Sequence, residues 1–161
     1  MENIVFQPIG IIYSAYTEPR GTPIQPASAK GKKGRVELFP QFEDGLLDIE
    51  GFSHLILIYY FHRSEGFQLQ VKPFLDENKH GVFSTRAPFR PNPVGVSVVK
   101  LVNRNKNILE IENVDILDGT PLLDIKPYIP DFEATEQIAT GWLTNSKHKI
   151  NNAVNDGRFE L

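Results

Sequence analysis

The sequence has no cysteine. That excludes disulfides, thiol nucleophiles and every zinc or iron–sulfur site ligated by cysteine. Long apolar runs are missing too: the longest, Leu55 to Phe61 (LILIYYF), is far too short to span a bilayer as a helix. The opening MENIVFQPIG has a Glu at position 2 and no extended apolar stretch, so no secretory leader is expected. Positive charge is not in excess either. The 17 Lys and Arg against 20 Asp and Glu leave a formal net charge of −3, so any grip on RNA must come from a local patch. Several catalytic signatures are absent: G-x-S-x-G, G-x-G-x-x-G, G-x-x-x-x-G-K-[ST] and H-E-x-x-H. A serine-hydrolase elbow, a Rossmann dinucleotide site, a P-loop and a zincin-type metal site are disfavoured accordingly. His54, His62, His80 and His148 do not cluster at metal-ligand spacing, and no metal is expected. The expectation is a soluble cytoplasmic protein with no membrane segment.

What is present suits one domain over residues 1–161: 161 residues, 40% hydrophobic and 23% charged, support a real core. The 12 glycines and 12 prolines are spread along the chain and cut it into short segments, as in a β-rich domain. Ile4–Tyr16 reads as a strand broken near Pro8, residues 18–34 as a loop, Val36–Phe39 as a short strand and Phe42–Ile49 as helical turns. Leu55–Phe61 reads as a strand buried on both faces. Val94–Val102 and Ile108–Ile116 form a hairpin reversed through 103–107. Leu122–Ile129 resumes strand character, with Pro127 marking an edge or an end. Residues from about Thr135 to Val154 are expected to form a helix with Ile138, Trp142 and Ile150 on its apolar side. The fold class is therefore mainly β: an antiparallel sheet closed into a barrel, which removes exposed edges, with short helical turns and a C-terminal helix.

Two stretches carry the chemistry. In TRAPFRPNPVGVS (Thr85–Ser97), Pro88, Pro91 and Pro93 fix their own φ and restrict the residue before each. Arg86 and Arg90 thus sit on a stiff loop, and a guanidinium suits a carboxylate or phosphate, which it grips with two parallel hydrogen bonds. In DGTPLLDIKPYIP (Asp118–Pro130), the Asp-Gly-Thr-Pro turn offers a carboxylate, a hydroxyl and free amides. His62 and Arg63 follow the apolar run directly, a suitable place for a pocket mouth. The run Lys30–Arg35 (KGKKGR) is the one concentrated basic patch, suited to RNA phosphates.

GVFSTRAPFRPNPVGVSVVKL (Gly81–Leu101) resembles the main signature of the TrmO (YaeB-like) family. DGTPLLDIKPYIP resembles its second, and GFSHLILIYYFHR (Gly51–Arg63) a third, in family order over residues 6–130. The likeness is to the short, single-domain form. It implies a β-barrel methyltransferase using S-adenosyl-L-methionine, a homodimer, and a methyl acceptor at N6 of N6-threonylcarbamoyladenosine beside the tRNA anticodon. Carried over by position, the implied cofactor contacts are Pro23, Ile24 and Gln25, then His62 and Arg63, then Arg86, Val96, and the turn Asp118, Gly119, Thr120 and Pro121. Where bacterial relatives often carry Pro-Arg-Gln, this chain has Ile24 in the middle position. Arg90, Asn92 and Lys126 are candidates for the acceptor, and Asp118, Asp124, Tyr128 and His62 are candidate bases. A non-catalytic barrel binding cofactor or RNA, or a methyltransferase for another acceptor, is the alternative.

Overall fold

A computed structural model describes residues 2–133 and 138–159. Six antiparallel strands close into a barrel: β1 (Gly10–Ser14), β2 (Lys33–Leu38), β3 (His54–Tyr60), β6 (Val94–Asn105), β7 (Ile108–Glu112) and β8 (Thr120–Pro127). Their order around the wall is β1-β2-β7-β6-β3-β8, and β8 pairs back onto β1. A small two-stranded ribbon, β4 (Gln70–Val71) and β5 (His80–Gly81), stands outside it.

Alternation within the strands explains the closure. Ile12, Val36, Leu55, Leu57, Val99, Leu109 and Leu122 all point inward and are fully buried, each burial stabilising by about 1.5–3 kcal/mol. The outward residues of β3, Ile56 and Ile58, are only partly covered. The expectation of a strand buried on both faces thus holds for its inner face alone, because a barrel strand has one side turned outward. Gly95 is demanded by packing: a Cβ there would lie 2.3 Å from Tyr59 Cε2.

Other expectations shift in detail. Of the strand expected over Ile4–Tyr16, only Gly10–Ser14 forms a strand, and Ile4, Val5 and Phe6 are exposed. The hairpin is tighter than expected, since β6 runs to Asn105 and only Lys106 and Asn107 turn the chain, Lys106 at φ 54°. The helical turns after Phe39 are 3₁₀ turns at Pro40–Leu46 and Ile49–Gly51. Among the described residues the expected C-terminal helix is not found. The described part of that segment forms two 3₁₀ turns, Gly141–Asn145 and Lys147–Asn152, and Ile138 is exposed. Asn145, Ser146, Asn151 and Asn152 are poor helix formers and favour local side-chain bonding. Residues 135–137 lie outside the described residues. A four-residue helix, α1 (Pro130–Glu133), follows β8.

The register fixes which end matters. β3 ends at Tyr60, β6 begins at Val94 and β8 begins at Thr120 at one mouth of the barrel. The long loops 15–32, 61–93 and 113–119 all leave from that mouth. Among the described residues no helix is long and apolar enough to cross a membrane.

Candidate active site

Those loops enclose a cavity of about 700 Å³, within the range that takes a drug-sized ligand. Pro23, Ile24, Phe61, Phe74, Phe83 and Val94 supply apolar wall. Gln25, His62, Arg63, Arg86, Asn92 and Asp115 supply polar groups. The first strand-to-strand loop is positioned by the distant C-terminal segment. Gly21 N donates to Asn155 O at 2.7 Å, Asn155 N donates to Thr22 O at 2.8 Å, and Pro23 bridges to Val154. Phe159 packs edge-on against Phe74 and Phe89, at 5.0 and 5.5 Å between centroids, and joins the cavity wall.

The proline-stiffened loop is braced from within. Ser64 Oγ donates to Pro88 O at 3.1 Å, and Phe61 N donates to Pro93 O at 2.8 Å. Arg90 Nη1 donates to Thr85 O at 3.2 Å and Ala87 O at 3.3 Å, so part of its guanidinium holds its own loop. Arg86 Nη1 instead reaches across the cavity to Gln25 Oε1 at 3.0 Å, tying the two loops. Arg63 pairs with Glu18 at 3.4 Å.

His62 lies past the end of β3. Its ring Nδ1 stands 3.3 Å from Thr120 Oγ1. Burial, then the charge of Arg63, lowers its pKa, which keeps it neutral near pH 7.

Sequence reasoning missed a strongly perturbed carboxyl. Asp115 Oδ1 accepts from Ser97 Oγ at 2.7 Å, and Ser97 Oγ lies 3.0 Å from Tyr59 OH. Because the serine proton points to the carboxylate, Tyr59 donates in turn to Ser97. Burial pushes the Asp115 carboxyl up to about 6, although the Ser97 bond and the charge of Arg86 pull the other way. Tyr59 is raised by burial and then by Asp115. The Tyr16 hydroxyl, shielded and without a hydrogen-bond partner, also feels the Asp115 charge. The signal in the sequence was a lone aspartate between Val114 and Ile116, both of which are buried.

The cavity gathers Pro23, Ile24, Gln25, His62, Arg63, Arg86, Arg90, Asn92, Val96 and Thr120. It does not gather the rest. Asp118 Oδ1 accepts from Ser14 N at 3.0 Å and Asp118 N donates to Tyr16 O at 2.7 Å, so this aspartate pins the turn to β1. Gly119 beside it has φ 74°, which suits glycine, and neither it nor Pro121 lines the cavity. Lys126 pairs with Asp124 at 2.8 Å on the outer wall. Tyr128 N donates to His54 O at the opposite end, roughly 25 Å along the strand from Thr120.

The tRNA-methyltransferase O N-terminal domain family matches residues 11–134. The chain belongs to the TrmO family. A probable S-adenosyl-L-methionine-binding protein of Pyrococcus abyssi is 58% identical over 156 residues, covering 97% of this chain and 85% of the relative. A tRNA (adenine(37)-N6)-methyltransferase of Mus musculus is 35% identical over 155 residues, covering 92% of this chain and 35% of its own. The crystal structure of TrmO from Pseudomonas aeruginosa superposes with a TM-score of 0.73 at 36% identity, over 88% of this chain and 63% of that one. This chain thus spans about a third of the mouse protein and under two thirds of the TrmO structure.

Proposed function

We propose that this chain transfers the methyl group of S-adenosyl-L-methionine to N6 of N6-threonylcarbamoyladenosine beside the anticodon of tRNA, in the cytoplasm. One observation carries the reading. In the TrmO-family fold, the signature loops that are far apart in sequence meet around a single cavity with an apolar wall and a few convergent polar groups. The cavity fits the cofactor by chemistry. The Pro23–Gln25 loop, Phe61 and Val96 offer apolar surface to a purine, and Arg86, on a rigid loop, suits the amino-acid carboxylate. His62, Arg63 and Thr120 complete the set, and Asp118 and Gly119 act from behind by holding the Thr120 turn. When bound, the cofactor supplies an electrophilic methyl group.

The chain's own part is positioning and proton handling. Holding acceptor and donor in line is worth effective molarities of roughly 10⁵ M or more. Asn92, and the part of the Arg90 guanidinium not spent on its loop, face the cavity and suit the threonyl carboxylate. His62, neutral and hydrogen-bonded to Thr120, orients rather than charges the site. Lys30, Lys32, Lys33 and Arg35 form the phosphate-binding patch. Its last residues lie on β2, where Arg35 stacks over the Tyr13 ring at 4.3 Å. The partly covered outer face of β3, with Ile56 and Ile58 half-buried and Tyr60 41% exposed, supports a homodimer, which sedimentation velocity reads directly.

Incubation of the protein with S-adenosyl-L-methionine and modified tRNA, followed by digestion and mass spectrometry, tests the reading. A gain of one methyl group on the threonylcarbamoylated nucleoside is expected. Cofactor binding without RNA methylation points to another acceptor, and RNA binding without turnover to a non-catalytic barrel.

A further inference from the structure

We propose that Asp115 is the group that takes the proton from the methyl-accepting nitrogen, with the Tyr59–Ser97 hydroxyl pair holding its carboxylate in place. This rests on the methyltransferase reading above and deepens it. A nitrogen conjugated to a carbonyl is a weak nucleophile. As its lone pair bonds to the methyl carbon, the methyl–sulfur bond breaks with its electron pair remaining on sulfur. The nitrogen must then lose its proton to a base.

Among the described residues, Asp115 is the one carboxylate that lines the cavity. The other candidates fall away on position. Asp118 is engaged by Ser14 N and lies outside the cavity. Asp124 is paired with Lys126 on the outer wall, and Tyr128 is at the far end of the barrel. His62 does face the cavity, but its burial and the charge of Arg63 oppose its taking up a proton.

The geometry around Asp115 is that of an oriented acceptor. Tyr59 OH donates to Ser97 Oγ, which donates to Asp115 Oδ1 at 2.7 Å. Both hydroxyls come from the inner faces of neighbouring strands, since β3 pairs with β6 and Tyr59 and Ser97 are 5% and 2% exposed. That fixes one carboxylate oxygen and leaves Oδ2 with no side-chain partner, free for a donor in the cavity. Arg86, close enough for its charge to lower the Asp115 pKa, keeps the carboxylate from being too weak an acid. One hydroxyl bond to Oδ1, itself backed by Tyr59, orients the carboxylate, and a base has to be positioned to take the proton.

The test uses Asp115→Asn and Ser97→Ala in the full chain, with three readouts. Titration calorimetry measures S-adenosyl-L-methionine binding. Single-turnover methylation of modified tRNA is followed across pH. Carbon-13 NMR of labelled aspartate carboxyls reads the Asp115 titration directly. The wild-type rate is expected to rise with pH and level off as the Asp115 carboxyl ionises, and the NMR midpoint to coincide with that limb. Asp115→Asn should bind cofactor like the wild type and lose on the order of 100-fold or more in rate. Ser97→Ala removes a hydrogen bond to the charged form, so both limb and NMR midpoint should move to higher pH together. An Asp115→Asn variant with wild-type rate overturns the proposal, as does one whose rate falls only because cofactor binding falls. A limb that ignores Ser97→Ala overturns it as well. A wild-type protein that binds cofactor but methylates no tRNA removes the methyltransferase reading, and the proton-acceptor role with it.

Discussion

At the scale of single residues, the cost of the site is concentrated in Asp115. Its carboxyl is held at about 6 against an ordinary 3.8, chiefly by burial. The folded state therefore binds this proton more tightly than the unfolded chain does. The sign follows from linkage: the contribution to stability is fully present below about pH 3.8 and is lost as pH rises to about 6. At about 1.4 kcal/mol per pH unit, the charged carboxylate destabilises the fold by up to about 3 kcal/mol at neutral pH. Asp115→Asn removes that titration. Thermal melts should show the variant and the wild type alike near pH 3.5 and the variant increasingly more stable from pH 4 to about 6, then a constant gap. A gap that does not depend on pH would show that Asp115 carries no buried charge. Such a conflict between stability and placement is what an active-site acid or base looks like.

Residue identities were legible in the sequence where local stiffness or signature spacing exposed them. Arg86, expected to grip an anion from a loop stiffened by three prolines, lines the cavity. Arg90, four residues on, looks identical in sequence. Only the folded loop shows that it bends back onto Thr85 and Ala87 carbonyls. For Asp115 the one local hint is its place between the apolar Val114 and Ile116. Its burial depends on β3, on β6 and on loops more than 50 residues away in sequence, which that hint does not report.

At the scale of elements, the strands were readable from their β-branched and aromatic runs set between glycine and proline breaks, and β3 from a continuous apolar run. Their ends were less so, since pairing partners rather than composition decide where a strand stops. The failure at the C-terminus has the same origin. Residues 153–155 are held by the backbone of the 21–24 loop rather than by a helix of their own. That makes the segment a clamp on the 21–24 loop, to which the proposed function gives the cofactor, and the clamp can be weakened selectively. Asn155→Pro removes the N–H that donates to Thr22 O and the side chain that closes the turn to Gly157. Loss of about 1 kcal/mol of loop ordering is expected to raise the S-adenosyl-L-methionine Kd by about fivefold. The main melting transition should barely move, because the clamp lies outside the barrel. A large drop in melting temperature with unchanged affinity would mean that the segment supports the core instead.

At the scale of the whole molecule, the proposed function requires a protein with net charge −3 to hold a polyanion. The bulk field opposes that encounter, so the attraction has to be local and steep. The run from Lys30 to Arg35 meets the requirement in part because it is not a free tail. Gly31 N donates to Asn113 Oδ1 at 2.9 Å, Val114 N donates to Lys32 O at 3.2 Å, and β2 begins at Lys33. Its cations are thereby set beside the same barrel mouth from which the 113–119 loop emerges. RNA bound there by phosphate contacts should show a Kd that rises steeply with salt, each contact adding about 0.7–0.9 to the slope of log Kd against log salt. Lys32→Glu with Lys33→Glu should therefore weaken tRNA binding at low salt and flatten that slope by about 1.5, while leaving S-adenosyl-L-methionine affinity unchanged. An unchanged slope would move the RNA path to another face, and a loss of cofactor affinity would tie the patch to the cavity. The first result makes the acidic total charge useful: it suppresses indiscriminate binding to nucleic acid and leaves recognition to the one basic rim beside the methyl-transfer cavity.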